Sequence, residues 1–424
     1  MRILWVKVGG LWPADRGGRL RSLHTIKELA RRHSLTVATT HADAHGQVGL
    51  HGALADCQRV VSLPHRLPKQ GSPGFAMALA RSWMSPLPVD LWKARVPLLR
   101  RLAHGLVASG QVDCCVADFL AAVPNVPASG SVPGILFEHN VEHVIWQRLA
   151  RTERRPWRRL LLELEWRKMR RFEARACSEA TLTLGVSEAD VALLAGLAPM
   201  ARIAALPTGV DAAYFAPGAA PPAPDSLVFA GSMDWYPNED AIVHFIEDVL
   251  PAIRRERPGI SLTVVGRNPS ARLRAAASGA GLIVTGTVDD VRPHVARGAV
   301  YVVPLRIGGG TRLKIFEALA MGKAVVSTGV GAEGLPLVPG EHYVRADHPE
   351  EFARAVTRLL GDAEHRQRLG RAGRALVETR YSWAEAARQF ETHLEAAVAA
   401  RRRGRKPQRE TDAAELRPAD LREA

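Results

Sequence analysis

The segment from Pro304 to Ser327 constrains the fold most, because its pattern changes from turn to helix to strand. The apolar run 299–303 leads into it and predicts a buried strand. Gly308–Gly310 predict a turn, and apolar residues at helical spacing predict a helix from Thr311 to Met321. The run 324–327 predicts the next strand. The helix residues expected to face a core are Leu313, Phe316, Leu319 and Ala320.

The glycine turn and the helix start form a candidate phosphate site. Unpaired backbone N–H groups and the positive end of the helix dipole suit an anion such as a diphosphate. Lys314 and Glu317 are three residues apart, so they are predicted on one helix face. The lysine can meet phosphate, and the glutamate can accept hydrogen bonds from sugar hydroxyls. A solvated ion pair on an ordinary α/β helix has the same spacing, so both interpretations stay open.

The second half of the chain alternates between apolar runs and helical patterns, which predicts a parallel, doubly wound sheet. Its predicted strands are 227–230, 261–265, 282–285, 300–303 and 324–327. The first half has the same alternation. Its predicted strands are 2–8, 35–40, 56–63, 112–117, 134–137, 181–186 and 203–206. Gly17 and Gly18 precede a predicted helix, 19–32, in a Rossmann-like start that lacks G-x-G-x-x-G, so no dinucleotide cofactor is expected.

His139 lies two residues after the predicted strand 134–137, at the end of the sheet where α/β proteins bind ligands. It is a candidate functional residue, and a hydrogen-bonded structural histidine is the alternative. Glu142 and His143 lie nearby, but the group lacks a third defined ligand, so a metal site is not expected.

The segment 304–327 resembles the C-terminal signature of the family 4 (group 1) glycosyltransferases, which have the two-Rossmann-domain GT-B fold. The segment 207–217 resembles the interdomain joint of that family. Glu317 matches the second glutamate of the family's Glu-x7-Glu motif, which holds the donor ribose in relatives. Gly309 stands where the first glutamate would be. This departure is similar to a branch typical of exopolysaccharide sugar transferases, and it leaves open whether activity is altered or lost.

The resemblance implies transfer, with retention, of a sugar from a nucleotide-diphosphate donor to a glycan or lipid-linked acceptor. Relatives often carry an arginine and a lysine after the position of Gly231, and this chain has neither. The phosphate charge is therefore expected to fall on other residues. The implied donor-binding residues are Gly17, Gly18, Gly231, Arg306, Gly308, Gly309, Gly310, Thr311, Arg312, Lys314 and Glu317. The implied catalytic residues are His139, Lys314 and Glu317.

The resemblance also implies a domain division. Residues 1–207 are predicted as an N-terminal acceptor domain, completed by a returning helix, 384–400. Residues 208–224 are predicted as a linker and 225–383 as the donor domain, and 401–424 are predicted to be disordered. Two other functions stay open, a GT-B sugar-nucleotide 2-epimerase and an inactive nucleotide-binding subunit of a polysaccharide-synthesis complex. No Asp-x-Asp motif occurs, so no metal cofactor is expected.

The net charge of +14 suggests an anionic partner, although a biased genome would also produce an arginine-rich chain. No nucleic-acid-binding motif is present, so nucleic acid is not expected. The basic stretch 144–177 contains three tryptophans and predicts contact with an anionic membrane, with a solvated charged face as the alternative. The four cysteines show no disulfide or metal spacing, which favours a cytoplasmic protein. The predicted membrane contact would then be peripheral, on the inner face of the cell membrane.

Overall fold

This structure is a computed structural model, and it describes residues 1–14, 17–68, 71–127, 130–153, 155–233, 235–279, 281–307 and 313–404. Within these residues two parallel sheets lie in succession along the chain, each between layers of helices. The predicted α/β class with two Rossmann-like domains is confirmed. No helix of the described part combines the length and the apolar character that a bilayer crossing requires.

The first sheet has seven parallel strands in the order β3-β2-β1-β4-β5-β6-β7. They are β1 (Arg2–Lys7), β2 (Ser34–His41), β3 (Arg59–Pro64), β4 (Cys114–Asp118), β5 (Gly134–Phe137), β6 (Leu182–Gly185) and β7 (Ile203–Ala205). All seven were predicted from their apolar runs, although β3 is only partly buried and contains Arg59 and Ser62. The strand order reverses between β1 and β4, so the ends of these two strands open a crevice.

The helices of the first domain cover both faces of this sheet. They are α1 (Gly17–Ala30), α2 (Ala44–Ala53), α3 (Pro73–Trp83), α4 (Val89–Lys93), α5 (Pro97–Ala108), α6 (Glu142–Thr152), α7 (Pro156–Glu179) and α8 (Glu188–Leu197), with a 3-10 helix at Leu120–Asn125. Helix α1 begins two residues earlier than predicted, so Gly17 and Gly18 form its first turn. The stretch 144–177, predicted to be mostly helical, lies in two helices, and Pro156 starts the second one.

The second sheet has six parallel strands in the order β10-β9-β8-β11-β12-β13. They are β8 (Ser226–Ala230), β9 (Ser261–Val265), β10 (Leu282–Val284), β11 (Val300–Val303), β12 (Ala324–Ser327) and β13 (Val344–Arg345). The prediction missed β13, because two residues are too short to show a period. The order reverses between β8 and β11, and Lys314, which follows β11 along the chain, lies beside Phe229 of β8.

Helices separate the strands of the second domain, as the helical patterns between them predicted. They are α9 (Tyr236–His244), α10 (Leu250–Glu256), α11 (Ala271–Ala276), α12 (Arg292–Arg297), α13 (Leu313–Ala320), α14 (Pro349–Gly361) and α15 (Ala363–Arg380), with a π turn at Phe245–Val249. Phe316, Leu319 and Ala320 are buried as expected. Leu313 is only half-buried, because it faces the first domain instead of a core.

The last helix, α16 (Trp383–Gly404), crosses back onto the first domain, as predicted. Phe390 is fully buried, and its ring centroid lies 5.4 Å from that of Trp5 in β1. The predicted disordered tail starts too early, since Arg401–Gly404 continue the helix. Three arginines in this last turn oppose the negative end of the helix dipole, which favours continuation. Residues 405–424 lie outside the described residues.

Candidate functional site

The two domains approach each other where α1 and α13 begin, and near the segment that joins the domains. A β-carbon added to Gly17, in the first turn of α1, would lie 3.2 Å from Leu313 of α13. A β-carbon added to Gly209 would lie 2.7 Å from the backbone of Trp383. Both glycines therefore permit close approach of the chain across the joint. Beside these contacts lies a cavity of about 340 Å³. Its lining includes Leu20, His24, Asp211, Leu313, Glu317 and Trp383.

Glu317 is half-buried in the wall of this cavity. Its carboxylate forms no hydrogen bond or ion pair with any described residue. Burial raises the pKa of Glu317 to about 7, against the opposing charge of Lys314. The carboxyl therefore changes its charge near neutral pH and is available to a ligand that donates hydrogen bonds.

Lys314 reaches the end of β8 from the first turn of α13. Its Nζ donates to Asn238 Oδ1 at 2.6 Å and lies 4.3 Å from the centroid of the Phe229 ring. A β-carbon on Gly231 would come within 2.8 Å of this Nζ. The structure thus brings the predicted residues Gly231 and Lys314 together, and it adds Asn238. The sequence analysis did not single out Asn238, which lies in the first turn of α9.

Arg306 follows β11 and makes a two-point contact with Asp240. Its Nη2 lies 2.7 Å from Oδ1, and its Nε lies 3.1 Å from Oδ2. The guanidinium remains 47% exposed, so a phosphate could compete with the carboxylate for it. Its role towards a donor stays a prediction. The remaining predicted donor residues, Gly308, Gly309, Gly310, Thr311 and Arg312, lie outside the described residues.

His139 follows β5, as predicted, but its side chain lies inside the first domain. It is 2% exposed, and its ring stacks on Phe119 with 3.9 Å between the centroids. Its Nε2 lies 3.0 Å from Asp118 Oδ1. Burial lowers the pKa of His139 to about 3, against the opposing effect of Asp118, so the imidazole is neutral. A β-carbon on Gly18 would lie 3.7 Å from Nδ1, so this predicted glycine and His139 are neighbours.

Asp118 ends β4 and organises the buried polar cluster, which the sequence prediction missed. It accepts hydrogen bonds from Trp5 Nε1 at 2.8 Å and from Lys7 Nζ at 3.0 Å. Burial alone would raise the pKa of Asp118, but the charge of Lys7 and the contact with His139 hold it well below its usual range. Lys7 also donates to Ser22 of α1. The signal in the sequence was one aspartate after a buried strand, which is weak.

Several glutamates lie close to His139 in the first domain, and one of them, Glu173, caps helix α6. Glu173 accepts hydrogen bonds from the backbone N–H groups of Glu142 and His143 at the start of α6, at 2.8 and 3.0 Å. His143 Nδ1 also lies 2.5 Å from this carboxylate. Glu138 is buried nearby, and burial raises its pKa well above the usual value. Within the described ranges no three His, Cys, Asp or Glu side chains are grouped to hold a metal ion.

Two Rossmann-like sheets across a cleft, closed by a C-terminal helix that returns to the first domain, define the GT-B architecture. Solved structures agree with this assignment. Sucrose-phosphate synthase from Thermosynechococcus elongatus aligns at a TM-score of 0.69 and 17% identity, over 94% of this chain and 100% of its own. HepE from Anabaena, solved in complex with UDP, aligns at a TM-score of 0.64 and 13% identity, over 93% of this chain and 100% of its own. At these identities the likeness shows the fold.

The family comparison concerns the second domain. Residues 224–362 match the family described as Glycosyl transferases group 1. The chain is also 26% identical, over 139 residues, to a 44.6 kDa protein in the cps region of Klebsiella pneumoniae. That alignment covers 31% of this chain and 36% of the relative, so the chain matches well under half of the relative's length. The matched segment lies in the second domain and contains Lys314 and Glu317.

Proposed function

We propose that this protein is a glycosyltransferase that moves a sugar from a nucleotide-diphosphate sugar to a glycan or lipid-linked acceptor. The observation that carries the proposal is Glu317, an unpartnered carboxylate among the described residues, inside the matched segment 224–362. Its free oxygens suit the hydroxyls of the donor ribose. We further propose that the transfer retains the anomeric configuration. We also propose a place in polysaccharide or glycoconjugate synthesis, and the relative in a cps region supports this second proposal.

Lys314 is the proposed partner of the donor diphosphate. The bond between the sugar C1 and the diphosphate oxygen breaks, and its electron pair stays on that oxygen. A bond forms between C1 and an acceptor hydroxyl oxygen, which releases its proton. Negative charge therefore grows on the diphosphate in the transition state. Asn238 and the ring of Phe229 hold the ammonium at the end of β8, where fixed positive charge favours the transition state over the ground state.

The acceptor is proposed to bind the first domain. A cavity of about 440 Å³ opens at the carboxyl ends of β2 and β3. Its polar lining includes His41, Asp43, Gln47, His65 and Arg66. Side chains of this kind can hydrogen-bond the hydroxyls of a glycan, and strand ends are where open α/β sheets bind ligands.

Product analysis with the full chain tests this function. The protein is incubated with a panel of nucleotide-diphosphate sugars, with and without a membrane and glycan extract as acceptor. We expect free nucleoside diphosphate only when acceptor is present, together with an acceptor that gains the mass of the sugar. Epimerised or free sugar without acceptor would indicate the 2-epimerase alternative and contradict transfer. Tight nucleotide binding without turnover across the panel would indicate an inactive subunit.

We also propose that the first domain contacts the inner face of an anionic membrane. Trp157, Leu160 and Leu164 are exposed on one face of α7, at helical spacing, among exposed arginines. Lys168 of the same helix donates to the backbone of Ser82, which places the exposed residues Trp83 and Met84 beside that face. Trp146 is buried and takes no part. The apolar side chains would enter the interface, and the arginines would meet anionic headgroups.

Vesicle sedimentation tests this contact. Binding should require anionic lipid and weaken as salt rises, because such attraction is screened within about 8 Å at physiological salt. The double variant Trp157→Ala, Leu160→Ala should bind less. Met200→Ala, which changes a 96% exposed side chain elsewhere in the first domain, should bind as wild type. Equal binding to neutral and anionic vesicles would contradict the electrostatic contact.

A further inference from the structure

Arg21 lies on the buried side of α1 and carries a guanidinium without a partner. The residue is 5% exposed, and its Nε has no hydrogen-bond partner. Among the described residues none forms a hydrogen bond or an ion pair with this side chain. A buried, unpaired guanidinium strongly destabilises a folded chain, so its presence calls for a bound anion.

The nearest carboxylates are already engaged by other groups. Asp118 accepts from Trp5 and Lys7, and Asp190 accepts from Ser187 Oγ at 2.8 Å. Both carboxylates act on Arg21 only through their charge. Burial lowers the pKa of Arg21 to about 10, against these charges, so the guanidinium stays positive at neutral pH. The hydrogen-bonding capacity of Arg21 is therefore free for a ligand.

The position of Arg21 favours a ligand in the cleft between the domains. It is one turn after Gly17, and helical side chains lean towards the helix start. The start of α1 faces Leu313 of the second domain. The start of α8, which carries Asp190, also faces that domain, because a β-carbon on Gly334 would lie 3.2 Å from Ser187 Oγ. The start of α1 and the Arg21 guanidinium thus present positive charge near the cleft, whereas the start of α8 carries Glu188 and Asp190.

In the second domain, the described cations that could bind the diphosphate also contact other side chains. Its described candidates for the diphosphate are Arg306, which Asp240 holds, and Lys314, which Asn238 holds. We propose that Arg21 binds the diphosphate of the donor nucleotide from the first domain, with its planar fork on the phosphate oxygens. This inference rests on the proposed glycosyltransferase function.

Calorimetry on the full chain tests Arg21. A panel of UDP, GDP and ADP identifies the nucleoside diphosphate that binds the wild type, and the matching nucleoside serves as the phosphate-free probe. We expect Arg21→Gln to weaken the diphosphate about tenfold or more, as for loss of a charged hydrogen bond, and to leave the nucleoside unchanged. The control is Arg31→Gln, whose exposed side chain pairs with Glu28 near the far end of α1. It should bind like the wild type.

Thermal unfolding without nucleotide provides the second measurement. Arg21→Gln should keep or raise the melting temperature, because it removes an unpaired buried charge, whereas a structural arginine would lose stability when changed. If Arg21→Gln does not fold, Arg21→Lys carries the binding test. The lysine keeps the charge and loses the fork, so the diphosphate should bind several-fold more weakly and the nucleoside unchanged.

The outcomes separate this inference from the function on which it rests. Wild-type affinity for the diphosphate in the folded Arg21 variant would overturn the assignment while transferase activity stood. Unchanged donor affinity with a raised KM for a phosphate-bearing acceptor would assign the anion to the acceptor and overturn it as well. If the wild type bound no nucleoside diphosphate and transferred no sugar, the proposed function itself would fall.

Discussion

Asp118 of the first domain and Glu317 of the second are both carboxylates withdrawn from water near the cleft, yet their surroundings differ. Asp118 accepts hydrogen bonds from Trp5 and Lys7 and lies against His139, which holds its pKa below the usual range despite burial. Glu317 has no hydrogen-bonding partner among the described residues, and burial raises its pKa to about 7. Burial disfavours the charged form of a carboxyl in both places, and the number of donors decides the result.

The comparison teaches where the fold uses its charges and where it leaves them to a ligand. Asp118 and Lys7 compensate each other and join β1, β4 and α1, so they stabilise the first domain. Glu317 makes no such contribution, and Lys314 donates a hydrogen bond to the amide of Asn238 beside β8. Substitutions should therefore change mainly stability in the first group and mainly ligand chemistry in the second.

Asp118→Asn should have the largest effect. It leaves Lys7 buried without its opposing charge, which should lower the free energy of unfolding by about 3–5 kcal/mol. Urea unfolding measures this. The matched control is Asp113→Asn, just before the same strand, which removes the partner of the partly exposed Arg2 and should lose about 1 kcal/mol or less. Equal losses in the two variants would show that the cluster does not hold the domain.

Lys314→Ala should affect turnover instead. Loss of its charge at the leaving diphosphate should lower kcat by about one to two decades, while the fold persists because the residue is outside the core. Initial rates at saturating donor, beside circular dichroism, measure this. Lys27→Ala, in the last turn of α1, is the control and should keep wild-type turnover. Normal turnover in Lys314→Ala would move the diphosphate site elsewhere.

Glu317→Gln should weaken nucleotide binding by about tenfold, as for loss of one charged hydrogen bond. The raised pKa of Glu317 also predicts how nucleotide affinity changes with pH. Below pH 7 the free carboxyl holds a proton, and only the carboxylate accepts from both ribose hydroxyls. Wild-type affinity should therefore fall by about tenfold between pH 8 and pH 6. The pH profile of Glu317→Gln serves as the reference, because the phosphates of the nucleotide titrate in the same way with both proteins. An identical pH profile in the two proteins would refute the role of Glu317.

Chelation should have the smallest effect on either region. The chain has no Asp-x-Asp motif, and Lys314 is proposed to oppose the charge that a metal would otherwise oppose. Turnover should be unchanged in excess EDTA. Loss of turnover on chelation that manganese or magnesium restores would show that a metal ion takes part, and the roles assigned to Lys314 and Arg21 would need revision.

The elements of this fold were predictable because parallel strands buried on both faces are short apolar runs. All seven strands of the first sheet and five of the second were found this way, and only the two-residue β13 was missed. The sequence also named candidate site residues on these elements, including Gly231, Lys314 and Glu317, and their roles stay predictions. Whether His139 opens to the cleft was not predictable, because the answer depends on Phe119, whose ring covers it.

The sequence by itself determined the class of fold, the order of its elements and the segment that matches a sugar-transferase family, because these depend on local period and spacing. The tertiary structure decided which charges meet. Lys7 reaches Asp118 because β1 lies beside β4, and Lys314 reaches Asn238 because β8 lies beside β11. Partners so far apart along the chain leave no trace in a local pattern. Whether a carboxylate is held by donors, like Asp118, or has no hydrogen-bonding partner among the described residues, like Glu317, follows from that packing.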